Sequence, residues 1–218
     1  VATGLLDIVS TAVPGIRDIL VLGKVKQLER SGDADLIVLD APAAGHAITF
    51  LKSASGLADA VKVGPINTQA ADVLELLTDP RRCRVMLVTI PEETPVNELI
   101  ETAYSLEDQV GVALGPVVVN GVVADLPGLA VSPQLAAEEA GVRLLDGEAD
   151  VLSSAATFRH AREELQRAQL ERMAAELPLP QLHLPFLFTT DVGPDDIDVL
   201  ADALIDAIKA LPDPQAGS

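Results

Sequence analysis

An apolar run that stops on a carboxylate is the feature that most limits what this chain can become: Leu36-Ile37-Val38-Leu39-Asp40, followed at once by Ala41-Pro42-Ala43-Ala44-Gly45-His46. A strand that is apolar on both faces belongs in a parallel sheet covered by helices, and in open α/β sheets its C-terminal end faces the ligand crevice. Residues 36–40 are therefore expected to form a buried parallel strand that carries Asp40 to the sheet edge. An acid at that edge suits Mg²⁺, which takes hard oxygen ligands and keeps much of its water, so Asp40 would hold it through water. The same residue also fits a plainer role as the cap of the next helix.

The rest of the chain alternates in the same sense. Helical spacing is expected over 3–13, from Ile16 to about Glu29, over 47–57 and over 68–77, with Pro14-Gly15, Ser31-Gly32-Asp33, Gly64-Pro65 and Asp79-Pro80 as interruptions. A second strand is expected from Arg84 to Ile90, ending in Pro91-Glu92-Glu93-Thr94-Pro95, then a helix of about Val96 to Gln109. Gly115 to Asn120 reads as a third strand, one that finishes on an amide. Between Gly121 and about Asp150, Pro127, Gly128, Pro133, Gly141 and Gly147 break up short apolar pieces, as in an insertion. A long amphipathic helix over 153–176, a short strand over 181–184 and a last helix after Gly193-Pro194 complete the pattern. Strands alternating with helices predict an α/β fold with a mostly parallel sheet and right-handed crossovers.

Composition narrows the partners. With 49% hydrophobic residues but only 2% aromatic, the core must be aliphatic, as parallel sheets flanked by helices usually are. A net charge of −18 opposes polyanions, which argues against nucleic acid and anionic membrane surfaces. The single cysteine, Cys83, excludes an internal disulfide and any multi-cysteine metal site; its arginine neighbours could lower its pKa, or it could be an incidental buried thiol. No run reaches the roughly 18 uncharged apolar residues that span a bilayer, and the chain reads as soluble and cytoplasmic.

Four strand ends carry distinct chemistry: Asp40, the Pro91-Glu92-Glu93 turn, Asn120, and the apolar loop Pro185-Phe186-Leu187-Phe188. A carboxylate for Mg²⁺, an amide that can both donate to and accept from a base edge, and an apolar clamp for the ring together make a nucleotide pocket. Each also has a plainer reading: Asn120 fits a strand terminus, and the proline loop fits core.

Taken in order, these pieces resemble one family. Pro14-Gly15-Ile16 and Val38-Leu39-Asp40-Ala41-Pro42-Ala43-Ala44-Gly45-His46 are similar to the switch II region of the ArsA-like ATPases, which drive anion transport or target tail-anchored proteins. Leu87-Val88-Thr89-Ile90-Pro91-Glu92-Glu93 with Asn97-Glu98-Leu99-Ile100 resembles that family's following strand signature, Val117-Val118-Val119-Asn120 its base-recognition strand, and Leu184-Pro185 with Asp191-Val192-Gly193 its adenine loop. The matches keep family order from about 14 to 208, and actinobacterial members, often encoded as paired paralogues, are particularly similar.

The resemblance implies a P-loop NTPase-like α/β domain that binds ATP and Mg²⁺. Residues 1–211 would be the C-terminal part of it, with 121–176 a helical insertion and 212–218 a tail. Asp40, Gly45 and His46 would act in catalysis, Asp40 on the metal and Gly45-His46 as the start of a switch that moves with the γ-phosphate. Asn120, Pro185, Phe186 and Leu187 would hold the base, and Glu93 or its neighbour Glu92 would reach nucleotide across a homodimer or heterodimer. His46 and the two glutamates equally fit ordinary helix-start and solvated-turn positions.

Departures from the family matter as much. No G-x-x-x-x-G-K-[ST] occurs in the 218 residues, and Gly23-Lys24 runs on into Val25-Lys26. The P-loop strand and helix are therefore expected upstream of Val1, and the segment by itself should bind ATP weakly and hardly hydrolyse it. Ala41 and Ala44 replace hydroxyls common in the family, and the cysteines for zinc bridging or arsenite binding are missing. Two alternatives follow: a non-enzymatic paralogue that completes a heterodimer with an active ATPase, and, less in keeping with Asn120 and the proline loop, a partition-type ATPase.

Overall fold

The computed structural model describes residues 16–212. The helix expected over 3–13, and the tail beyond Pro212, lie outside the described residues. Its elements run α1 Ile16–Ser31, α2 Ala44–Ala60, α3 Pro65–Thr78, β1 Val88–Thr89, α4 Glu93–Val110, β2 Val117–Val122, α5 Pro133–Ala140, α6 Glu148–Glu176, β3 Gln181–Pro185 and α7 Pro194–Lys209. The fold is α/β, a parallel sheet flanked by helices, in keeping with part of a P-loop NTPase-like domain. Packing divides the chain into two units, one built from residues up to 87 with 98–115, the other from 88–97 with 116 onward.

The first unit is a helical cluster. Phe50, Leu51, Ala54 and Leu57 recur on one side of α2, and Ala70, Val73, Leu76 and Leu77 on one side of α3. These stripes and Ile19 and Leu22 of α1 are buried, as are Leu99, Ile100, Ala103, Leu106 and Val110 of α4. That is the recurrence at three and four residues that places side chains on one helical face. The Gln69 amide of α3 lies over Gly23 of α1, in the space a Cβ there would take. Polar ties add to the packing: buried Lys26 of α1 pairs with Asp72 of α3, and Arg82 grips Glu29 with two bonds of 2.8 and 3.0 Å.

The strand expected over 36–40 does not form. Residues 36–40 carry no regular secondary structure, and Leu36 and Val38 are 78% and 82% exposed. A strand exists only where a neighbour takes its N–H and C=O groups, and among the described residues none pairs with this run. The strand expected over 84–90 is likewise reduced to β1 and an isolated parallel bridge between Val85 and Leu114. Cys83 is not activated by its arginines, since burial pushes its thiol up.

The second unit holds a parallel sheet in the order β1-β2-β3. Val88 pairs with Val118, and Val117, Val118 and Val119 pair with Gln181, Leu182 and His183. The register breaks between Val119 and Val122. Gly121 permits this by adopting φ +71°, a conformation that side chains with a Cβ rarely take. Val96, Val117, Val119, Met173, Leu177 and Leu182 form the core. The helix expected over 153–176 begins earlier, at Glu148, and the region read as an insertion contains α5, capped by Ser132 whose Oγ accepts from Leu135 N–H and closed by Gly141.

Two expectations test these units. Leu106→Ala, which empties a fully buried site, should destabilise by about 2–5 kcal/mol in urea unfolding, whereas Val38→Ser should stay within about 0.5 kcal/mol. The Arg82 and Lys26 hydrogen bonds hold the Glu29 and Asp72 carboxyls below their ordinary values of 4.5 and 3.8. Because folding lowers these pKa values, the stability they add is present above the ordinary values and is lost as the pH falls through the lower native ones. A Lys26→Met/Arg82→Met double variant should therefore lose less stability than the parent on acidification below about pH 4, monitored by helical circular dichroism; an identical acid profile would refute the two pairs' part in it.

Candidate functional site

Three segments of the second unit converge on one cavity of about 340 Å³. The turn after β1 supplies Ile90, Pro91 and Glu92, the register break in β2 supplies Asn120 and Gly121, and the loop after β3 supplies Pro185, Phe186 and Leu187. Thus four of the residues expected to hold a base, Asn120, Pro185, Phe186 and Leu187, come together although some 65 residues of chain intervene. The backbone explains why. Pairing of Val122 with Pro185 and the bond from Phe186 N–H to Val122 O, 2.9 Å, lay the proline loop beside the end of β2.

The opposite wall is α6, which contributes Arg162 and Gln166. Gln166 is buried, and both ends of its amide serve the irregular backbone: Oε1 accepts from Val123 N–H at 2.9 Å and Nε2 donates to Gly121 O at 3.2 Å. The break in β2 leaves these backbone groups without ladder partners, and a buried unpaired group is costly. Arg162 lies with its guanidinium 5.5 Å over the Phe186 ring and 3.8 Å from the Glu92 carboxylate. Phe188 meets Phe186 edge to face at 4.9 Å, and Arg159 in turn covers Phe188. The result is an apolar slot with an exposed amide on one side and a charge pair at the other.

Glu93 starts α4, and it is Glu92 rather than Glu93 that lines the cavity. Arg172 of α6 fixes this turn, donating to Asn97 Oδ1 at 2.6 Å and to Glu93 O at 3.5 Å. Arg162 and Gln166 escaped the sequence reading, because polar residues on a charged helix read as a solvated face. Their spacing from Arg159, at three and seven residues, is the signal that would have put them on one side of α6.

The other expected residues belong to the first unit. Asp40 is exposed in the irregular run before α2, while Gly45 and His46 stand exposed in that helix's first turn. The N-cap of α2 is Ala43, with no side-chain cap bond, so Asp40 does not cap this helix. Open space surrounds the position a Gly45 Cβ would take. Among the described residues no group of three or more His, Cys, Asp or Glu could enclose a metal. A lone carboxylate fits Mg²⁺ only as one ligand among waters and phosphate oxygens.

No family model matches the chain. Over 84% of its length it is 31% identical to ATPase BagA of Mycobacterium tuberculosis, and equally similar to a Mycobacterium bovis protein named as an ATPase. The chain spans 58% of the length of each. A shorter match, 32% identical over 39% of the chain and 15% of the relative, is to a Halobacterium salinarum protein named as an arsenical pump-driving ATPase. The likenesses are thus to proteins named as ATPases, one of them an arsenical pump-driving ATPase.

Proposed function

We propose that this chain is the base-binding portion of an ArsA-like ATPase that binds and hydrolyses ATP with Mg²⁺ and uses the cycle to switch a dimer. The observation that carries this reading is the cavity shared by Asn120 and the Pro185-Phe186-Leu187 loop. Its lining fits a purine: Phe186 and the prolines offer apolar faces, and the Asn120 amide can both donate to and accept from a base edge. The names of the mycobacterial relatives point the same way.

Within this reading each residue has a task. Asn120 fixes the base edge, while Pro185, Phe186 and Leu187 exclude water from its faces. Asp40 would be the carboxylate on the Mg²⁺ side, and Gly45 and His46, at the start of α2, would belong to a helix that shifts with the phosphate state. Glu93 reaches toward nucleotide on the partner of a homodimer or paralogous heterodimer. ATP supplies the transferable phosphoryl group when bound. No G-x-x-x-x-G-K-[ST] occurs in these residues, so no phosphate cradle is assigned among them. Such an enzyme would serve anion transport or protein targeting from the cytoplasm; no described helix is long and apolar enough to cross a membrane.

Turnover of Mg-ATP by the gene's full-length product tests the assignment. Asp40→Asn should lower it by about 10–100-fold, the usual cost of disturbing a metal's ligand shell, and unchanged turnover would sink the metal role. Asn120→Ala should weaken adenine nucleotide binding about tenfold in a fluorescence titration, the equivalent of about 1.4 kcal/mol of lost hydrogen bonding. A full-length product that binds nucleotide yet never turns it over, alone or with added Mg²⁺, would instead identify the non-enzymatic half of a heterodimer.

A further inference from the structure

We propose that Arg162 is a displaceable plug of the base pocket, with its guanidinium occupying the face of Phe186 on which an incoming base stacks. The proposal rests on the base-pocket reading above. Stacked rings lie about 4.5–7 Å apart between centroids, so a guanidinium 5.5 Å over Phe186 fills the volume a stacked base would need. The ring's other neighbours are a backbone and a second ring. A Cβ on Gly121 would be in ordinary contact with Phe186 Cδ2 at 3.7 Å, and Phe188 packs against the ring edge to face at 69°. Gly121 is tied by the Gln166 amide, which donates to its carbonyl, and Phe188 is packed between the Phe186 ring and the Arg159 guanidinium.

Arg162 alone among these neighbours stands on a long flexible arm. Its side chain is 40% exposed, and its tether is a 3.8 Å contact with a Glu92 carboxylate that is itself 55% exposed. Such solvated pairs are weak, and so is an exposed cation–π contact. Seating a base on Phe186 therefore exchanges one stacking partner for a better one at small cost and frees both Arg162 and Glu92. Glu92 adjoins Glu93 at the start of α4, so occupancy of the pocket changes the charge pairing of the turn that Arg172 anchors.

Binding of adenosine and of ADP to the gene's full-length product, compared across variants, tests the plug. Arg162→Ala should tighten adenosine binding about three- to tenfold, the combined worth of the two contacts that no longer have to break. The gain should vanish in a Phe186→Leu background, where there is no ring to cover. Should Arg162→Ala fail to fold by circular dichroism, Arg162→Gln, which suits a helix and cannot stack as a cation, takes its place. Unchanged adenosine affinity, or ADP binding that weakens while adenosine binding stays constant, would overturn the plug and make Arg162 a bystander or a phosphate contact. Asn120→Ala separates the two levels: if it weakens adenosine while Arg162→Ala gains nothing, only the plug falls, and if it leaves adenosine untouched the base-pocket reading falls and takes the plug with it.

Discussion

The second unit depends on how the backbone of β2 is satisfied where its ladder breaks. β2 is the central strand, with β1 on one edge and β3 on the other; its first three residues are buried, and so is Val123 just after it. At Asn120-Gly121 the pairing register slips, and a single side chain, Gln166, supplies an amide that stands in for the missing strand partner. One residue thereby does three things. It closes the hydrogen-bond deficit, it locks α6 at one position along β2, and it leaves the Asn120 side chain free at the surface of the cavity.

α6 is in this sense the spine of the unit. Along its inward side Arg159 donates to Ala124 O and bonds Glu163, Gln166 holds the slip in β2, Arg172 holds the first turn of α4, and Met173 enters the core. Leu170 O accepts from the Gln181 side chain at the start of β3. The turn after β1, the break in β2 and the loop after β3 are all referred to the same helix, while Val192 just before α7 and Leu200 within it complete the lining. Polar contacts of this kind give less net stability than buried apolar area but more directionality, which is what a pocket needs to keep its shape.

Much of this was written in the sequence in periodic form. The α2, α3 and α4 stripes repeat at three and four residues, and the valine run of β2 ends where Asn120 breaks it, so helices, central strand and the convergence of Asn120 with the proline loop could be anticipated. What could not be read was set by pairing rather than by period. Leu36 to Leu39 has the composition of a buried strand, yet composition specifies only a demand for neighbours, and the described residues do not meet it. Gln166 and Arg162 were invisible for the converse reason: a polar side chain that bonds backbone or covers a ring has the same spelling as one that faces solvent. The arginines around Cys83 misled in a similar way, since proximity in sequence did not outweigh burial.

The exposed run before α2 has a consequence for handling the molecule. A run of aliphatic residues whose N–H and C=O groups find no strand partner among the described residues is a template onto which another strand can add, whether from elsewhere in the protein or from a neighbouring molecule. Asp40 at its end and the adjoining Pro42 are the sorts of residue that interrupt such addition, so the susceptible length is short, 36–39. Backbone left unpaired in this way is where strand addition competes with folding for the same hydrogen bonds.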